Sequence, residues 1–157
     1  MHFRLTEEHE NLLPTLVHYT SDVAWPKILR NGIAPLAQIT GRVSDRNDVM
    51  MAPVPRWDPR YVSGVRHERP IAIYLDKKAI LRDLPVFLTR AFALVTNAVV
   101  LPEYSLTIRE EGPRSTPERP QTGRLLYSER FTGLHYIGTE PGGNRPRRWD
   151  NREHMER

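Results

Sequence analysis

The chain contains no cysteine. Disulfides and thiolate metal sites are therefore excluded, whatever the compartment. Lysine is nearly absent too: Lys27, Lys77 and Lys78 stand against 20 arginines. No apolar run approaches the roughly 18 residues of a membrane span, and the N-terminus has no apolar signal-peptide core. The expectation is a soluble, cytoplasmic protein without a membrane partner. The phosphate-binding Walker loop, the dinucleotide-binding glycine fingerprint and the G-x-S-x-G nucleophile elbow are all missing. The six histidines lack ligand spacing, and His67 beside Glu68 has no second histidine near it, so no metal site is expected.

What is present is arginine. Its planar guanidinium makes bidentate contacts with phosphate and stacks on bases, although a GC-rich genome produces the same excess. The surplus is uneven. Residues 1–111 carry 14 basic and 13 acidic side chains, and residues 112–157 carry 9 and 6. The first part is close to neutral, so any nucleic-acid affinity there must come from local patches. The length of 157 residues suits one domain with a real core, while 39% hydrophobic content and 14 prolines point to additional polar, loop-rich segments.

TEEHENLL predicts a short helix ended by Pro14, and Leu16 to Thr20 predicts the first strand. Ser21 or Asp22 is placed to cap a following helix, with Pro26 in its first turn, an apolar side of Val23, Ile28 and Leu29, and a stop at Gly32. Residues 34–69 read as irregular, apart from a possible strand over Val49 to Ala52. Ile71 to Asp76 is the clearest strand, and Asp76 is placed to cap KKAILRD. Two strands then follow within Pro85–Thr89 and Ala91–Val100. LPEY reads as a turn and Ser105 to Glu111 as a strand. Residues 111–123 are a proline-rich loop, and GRLLYSE with GLHYIGT reads as a last hairpin. The expected fold class is α+β, strand-dominated, with a few short helices. One domain is expected over residues 1–139, with a polar basic tail, disordered when unbound, over 140–157. Within that tail, RPRRW offers phosphate contacts and a stacking Trp149, or is simply solvated.

The stretch LVHYTSDVAWPKILRNGI holds the most chemistry. It sets His18, Tyr19 and Thr20 at a strand end beside a helix start, a place where nucleotide sites are often built.

Three blocks taken together resemble the NAD-binding half of the RNA 2′-phosphotransferase family, which has the ADP-ribosyltransferase fold. The first is His18-Tyr19-Thr20 and the helix ending in Asn31-Gly32-Ile33, where the family has H-G-T, a helix and G-L. The second is Arg46 to Ala52, RNDVMMA, where the family has R-x-H-V-H-L-S. The third runs from Arg69 to Tyr104, where the family has K-P-V-V-L-E-V-D, a short helix, F-Y-x-S-x-N-G-V-W-L-T and V-P-x-x-Y. The resemblance covers residues 16–104. It departs at Asp48 and Met50, which stand where the family has two histidines, at Tyr19 in place of glycine, and at Phe92-Ala93 in place of asparagine-glycine. The segment between Gly32 and Arg46 is longer than in the family. The family's N-terminal RNA-binding lobe has no counterpart before Leu16.

The resemblance implies a split-sheet ADP-ribosyltransferase-like fold, NAD as co-substrate, and RNA or another nucleic acid as partner. It implies that the nicotinamide–ribose bond is cleaved and that an RNA 2′-phosphate or another nucleic-acid group accepts ADP-ribose. The transition state is an oxocarbenium ion, so positioning and charge stabilisation matter more than a strong base. On this reading His18 and Arg46 are catalytic. His18, Tyr19, Thr20 and Arg46 contact the cofactor, His18 through the nicotinamide-side ribose and Arg46 through phosphate. Arg42, the competing register for Arg46, and Arg90 contact substrate. Each has an ordinary alternative: a core histidine, a helix-capping threonine, a packed tyrosine or a solvated loop arginine. Two rival functions are a protein-modifying ADP-ribosyltransferase toxin and a non-catalytic nucleotide- or RNA-binding relic. The toxin reading needs a late-strand glutamate, Glu110 or Glu111, where a paired carboxylate is otherwise a solvated strand end. Glu103 reads as a turn residue.

Overall fold

Two four-stranded antiparallel sheets organise the chain. The computed structural model describes residues 2–44, 46–56, 58–61, 69–111, 122–129, 135–137 and 147–149. Strand β1 (Phe3–Leu5) is followed by a 3-10 turn (Glu7–Leu12), β2 (Val17–Thr20), helix α1 (Trp25–Asn31), helix α2 (Leu36–Thr40) and β3 (Val49–Met51). Then come β4 (Ile71–Leu75), α3 (Lys77–Asp83), β5 (Val86–Leu88), β6 (Leu94–Thr96), a 3-10 turn (Pro102–Tyr104) and β7 (Ser105–Glu111). The last described elements are β8 (Thr122–Ser128), β9 (His135–Ile137) and β10 (Arg147–Trp149). The first sheet has the order β2-β4-β7-β8, the second β1-β5-β6-β3, and β9 pairs with β10. This is the strand-rich α+β architecture expected. Of the hairpin expected near the end, the first segment contains β8, which pairs with β7, and the second contains β9. Of residues 140–157, only Arg147–Trp149 are described, and the rest of the expected tail lies outside the described residues.

One core joins the two sheets. Leu16, Ile71, Ile73, Leu75, Ile108 and Leu126 from the first meet Leu5, Val49, Met51, Val86 and Leu94 from the second, and α1 adds Trp25 and Leu29. Each fully buried aliphatic side chain contributes about 1.5–3 kcal/mol. Helices of five to seven residues are marginal on their own, so this packing holds them in place rather than their propensity. α3 is also the helix with the clearest local signal: the Asp76 carboxylate accepts from the Ala79 N–H at 3.1 Å.

The sheets are also stitched by backbone. β3 pairs with β6 in the second sheet, but Ala52, the residue after it, bridges to Val17 in the first. Val17 N–H donates to the Ala52 carbonyl at 2.9 Å, Ala52 N–H returns a bond at 2.8 Å, and Thr15 N–H reaches the Pro53 carbonyl at 3.0 Å. Residues 49–53 thus leave one sheet and clamp onto the other beside His18.

Three local expectations change. Val23 is exposed rather than part of an apolar helix side, because α1 begins at Trp25 and buries Trp25 and Leu29 instead. Ser21 does not cap α1 directly. Its hydroxyl accepts from the Ala24 N–H at 3.2 Å and so closes the turn before the helix. Residues 34–69 include a short helix, α2, started at Pro35 and stopped at Gly41 in the left-handed region.

Candidate functional site

Side chains alternate across a strand, and directly paired residues share a face. His18 pairs with Ile73 and Thr20 with Ile71, so both stand on the face of the shared core. Tyr19 pairs with Ala72 and belongs to a separate small cluster on the opposite face, with Val17, Ala52, Tyr61 and Tyr74. The structure therefore brings His18 and Thr20 together and separates Tyr19 from them.

His18 is half-buried, and its Nδ1 lies 2.8 Å from the Met50 carbonyl of β3. A carbonyl only accepts, so Nδ1 carries the proton. Burial lowers the His18 pKa from 6.5 to about 4; the Met50 hydrogen bond opposes that shift, and the positive charge of Arg69 adds to it. The ring is thus neutral near pH 7, with Nε2 as a hydrogen-bond acceptor. The Met50 backbone thus sets the tautomer of His18. Thr20, 2% exposed, is the next residue of β2 on the same face.

The arginines expected at the site are spread out. Arg46 is exposed on the approach to β3 and ion-pairs with Asp48 at 2.7 Å, while its carbonyl accepts from the Ala37 N–H at 2.9 Å. Arg42 is exposed after α2, and its N–H donates to the Thr40 hydroxyl at 3.2 Å. Arg90 is exposed in the turn between β5 and β6. In that turn Thr89 N–H bonds the Ala93 carbonyl at 2.8 Å, and Phe92 takes a left-handed φ of 61°.

The two strand-end glutamates have different surroundings. Glu110 forms a half-exposed ion pair with Arg124 at 3.2 Å, the solvated kind expected of a strand end. Glu111 is fully buried. Its Oε1 accepts from Tyr19 Oη at 2.9 Å and its Oε2 from Tyr74 Oη. The Tyr19 oxygen also accepts the Arg56 N–H at 2.6 Å, and the Arg56 guanidinium lies 4.4 Å from the Tyr19 ring centroid. Burial, then the Glu111 charge, holds both tyrosine hydroxyls well above their usual range, so they act as donors. Tyr61 packs edge-on against Tyr19 at 6.1 Å. This cluster has no local signature. Tyr19, Arg56, Tyr74 and Glu111 converge only through strand pairing and the path of residues 52–56.

Glu110 has a different neighbourhood on the sheet. It pairs with Ile71, which pairs with Thr20, so Thr20, Ile71 and Glu110 form one row across β2, β4 and β7. Among the described residues no group of three or more His, Asp or Glu is placed to hold a metal ion, and no helix is long and apolar enough to cross a membrane. Comparison with known proteins returns no matching family model and no matching curated protein.

Proposed function

We propose that this chain is an NAD-dependent transferase of the RNA 2′-phosphotransferase type, passing ADP-ribose to a 2′-phosphate or another group of a nucleic acid. The observation that carries the reading is the neutral His18, fixed by Met50 so that Nε2 is an acceptor on the face it shares with Thr20. An acceptor nitrogen suits a ribose hydroxyl, which must donate, and does not suit a phosphate oxygen. NAD fits this arrangement and supplies a ribose carbon with nicotinamide as leaving group. His18 holds the ribose and Thr20 adds a hydroxyl beside it. Arg46 is the phosphate ligand of the reading, once its pairing with Asp48 is exchanged for an anion. Two further features support it: the two-sheet α+β architecture, and the left-handed Phe92 at a turn position where the family carries asparagine.

A second reading is favoured by the Thr20–Ile71–Glu110 row. Many protein-modifying ADP-ribosyltransferases carry a catalytic glutamate on a late strand, and Glu110 stands near the end of β7 in the row with Thr20. In that case Glu110 has the role and the product keeps ADP-ribose. Glu111 does not fit it, because both of its oxygens are engaged by tyrosines on the opposite face.

The test is nicotinamide release from NAD with a 2′-phosphorylated oligonucleotide, for wild type, His18→Ala and Glu110→Gln. Phosphate removal with release of cyclic phosphate ADP-ribose supports the first reading. Retained ADP-ribose that is lost in Glu110→Gln supports the second, and retained ADP-ribose insensitive to Glu110→Gln keeps the first with another nucleic-acid acceptor. Unchanged NAD binding in His18→Ala removes the basis of both.

A further inference from the structure

Arg69 is a charged side chain that neither reading uses. Arg69 stands two positions before Ile71. Strand alternation continues through Pro70, whose carbonyl takes the ladder bond from the Glu111 N–H at 2.6 Å. Arg69 therefore falls on the side of Ile71 and Ile73, and so of Thr20 and His18. Its backbone is held from below: Arg56 Nη2 donates to the Arg69 carbonyl. Its side chain is half-buried and makes no hydrogen bond or ion pair among the described residues. A half-buried guanidinium with five donors and no anion among the described residues is an uncommon arrangement.

We infer that Arg69 is an anion-binding residue of the site, taking a phosphate group of a nucleotide whose ribose lies at His18. This deepens the reading proposed above and rests on it for the identity of the nucleotide. The spacing supports it. Two residues along a strand cover about 7 Å, so His18, Thr20 and Arg69 mark successive steps along one face, matching a ligand that runs from ribose to phosphate. The positive charge of Arg69 also reaches His18.

The test uses full-length protein, with Arg69→Ala, Arg69→Met (which keeps the apolar stem) and Arg69→Lys. Titration calorimetry measures NAD, nicotinamide riboside (no pyrophosphate) and inorganic pyrophosphate. Arg69→Ala and Arg69→Met are expected to weaken NAD about tenfold or more and nicotinamide riboside less than about twofold, with Arg69→Lys intermediate. NAD binding unchanged in both neutral variants overturns the Arg69 inference and leaves the transferase reading standing. Wild type that binds pyrophosphate through Arg69 but not NAD supports the anion site and overturns the nucleotide reading. Wild type that binds neither overturns the inference. A ligand-free measurement accompanies these: His18 titration by NMR, which should move upward from about 4 in Arg69→Ala and Arg69→Met. An unmoved titration places the guanidinium elsewhere and overturns the inference.

Discussion

Tyr19 donates a 2.9 Å hydrogen bond to Glu111, 92 residues further along the chain, from the face of β2 opposite His18. The same Tyr19 oxygen accepts the Arg56 N–H. One hydroxyl therefore ties the edge strand that carries His18 and Thr20 to β7 and to the residues following β3. A buried carboxylate is tolerated here because each oxygen has a hydroxyl donor.

Removing that hydroxyl orphans two groups at once. Tyr19→Phe is expected to destabilise by about 3 kcal/mol, because a carboxylate oxygen and a backbone N–H lose their partner together. Tyr74→Phe orphans only the second Glu111 oxygen and should cost about 2 kcal/mol. Urea denaturation of both variants checks the order, and equal losses would count against Tyr19 as the shared anchor.

The depressed pKa of His18 makes stability depend on pH. Its folded value of about 4 lies below the unfolded 6.5, so the unfolded state binds more protons between those limits. Stability from this group is full above about pH 6.5 and is lost as pH falls toward 4, amounting to at most about 3 kcal/mol. Denaturation midpoints across that window should show the slope in wild type and lose it in His18→Gln.

Two glycines with positive φ should respond differently to alanine. At Gly32, φ is +86° and a Cβ would sit 2.5 Å from the Val100 carbonyl, itself bonded to the Ile33 N–H. Gly32→Ala is expected to cost about 3 kcal/mol. At Gly41, φ is +73° and the space is open, so Gly41→Ala should cost only about 1 kcal/mol. Thermal melts of the pair separate backbone strain from steric conflict.

Phe92 carries a related strain without glycine's freedom. It is 41% exposed and held at a φ of 61°. Phe92→Gly or Phe92→Asn should raise stability by about 0.5–1 kcal/mol, since both tolerate the left-handed region and little packing is lost. A lower melting temperature in both would show that the ring contributes more than its exposure suggests.

Asp48 occupies Arg46 in the ligand-free protein. If Arg46 takes phosphate, Asp48→Asn should tighten NAD binding by about two- to fivefold, in line with the modest strength of exposed ion pairs. Calorimetry at low and moderate salt reads this directly, and identical affinities would remove Arg46 from the phosphate contacts.

Much of the local structure was legible in the residues. The Asp76 cap, the Gly32 stop, the strand over Ile71–Leu75 and the strand ending in Glu111 each follow from short-range rules. Period-two alternation along His18-Tyr19-Thr20 was legible too, and treating the three as one grip overlooks it. Helix α2 was not, because five residues carry too little periodicity to stand out beside the prolines that surround them. The candidate site was half legible. His18 and Thr20 stand out as polar groups at a strand end, whereas Arg69 and Arg56 look like ordinary loop arginines until the strands are paired.

The sequence by itself determined elements such as α3 with its Asp76 cap, the Gly32 stop and the strand over Ile71–Leu75, because capping, φ limits and alternation act over a few residues. Only the tertiary structure decided what each polar side chain faces. The Met50 carbonyl that sets the His18 tautomer is 32 residues away, and the two tyrosines that hold Glu111 are 92 and 37 residues away. Burial sets the chemistry of all these groups by removing water, and burial exists only once the two sheets have packed.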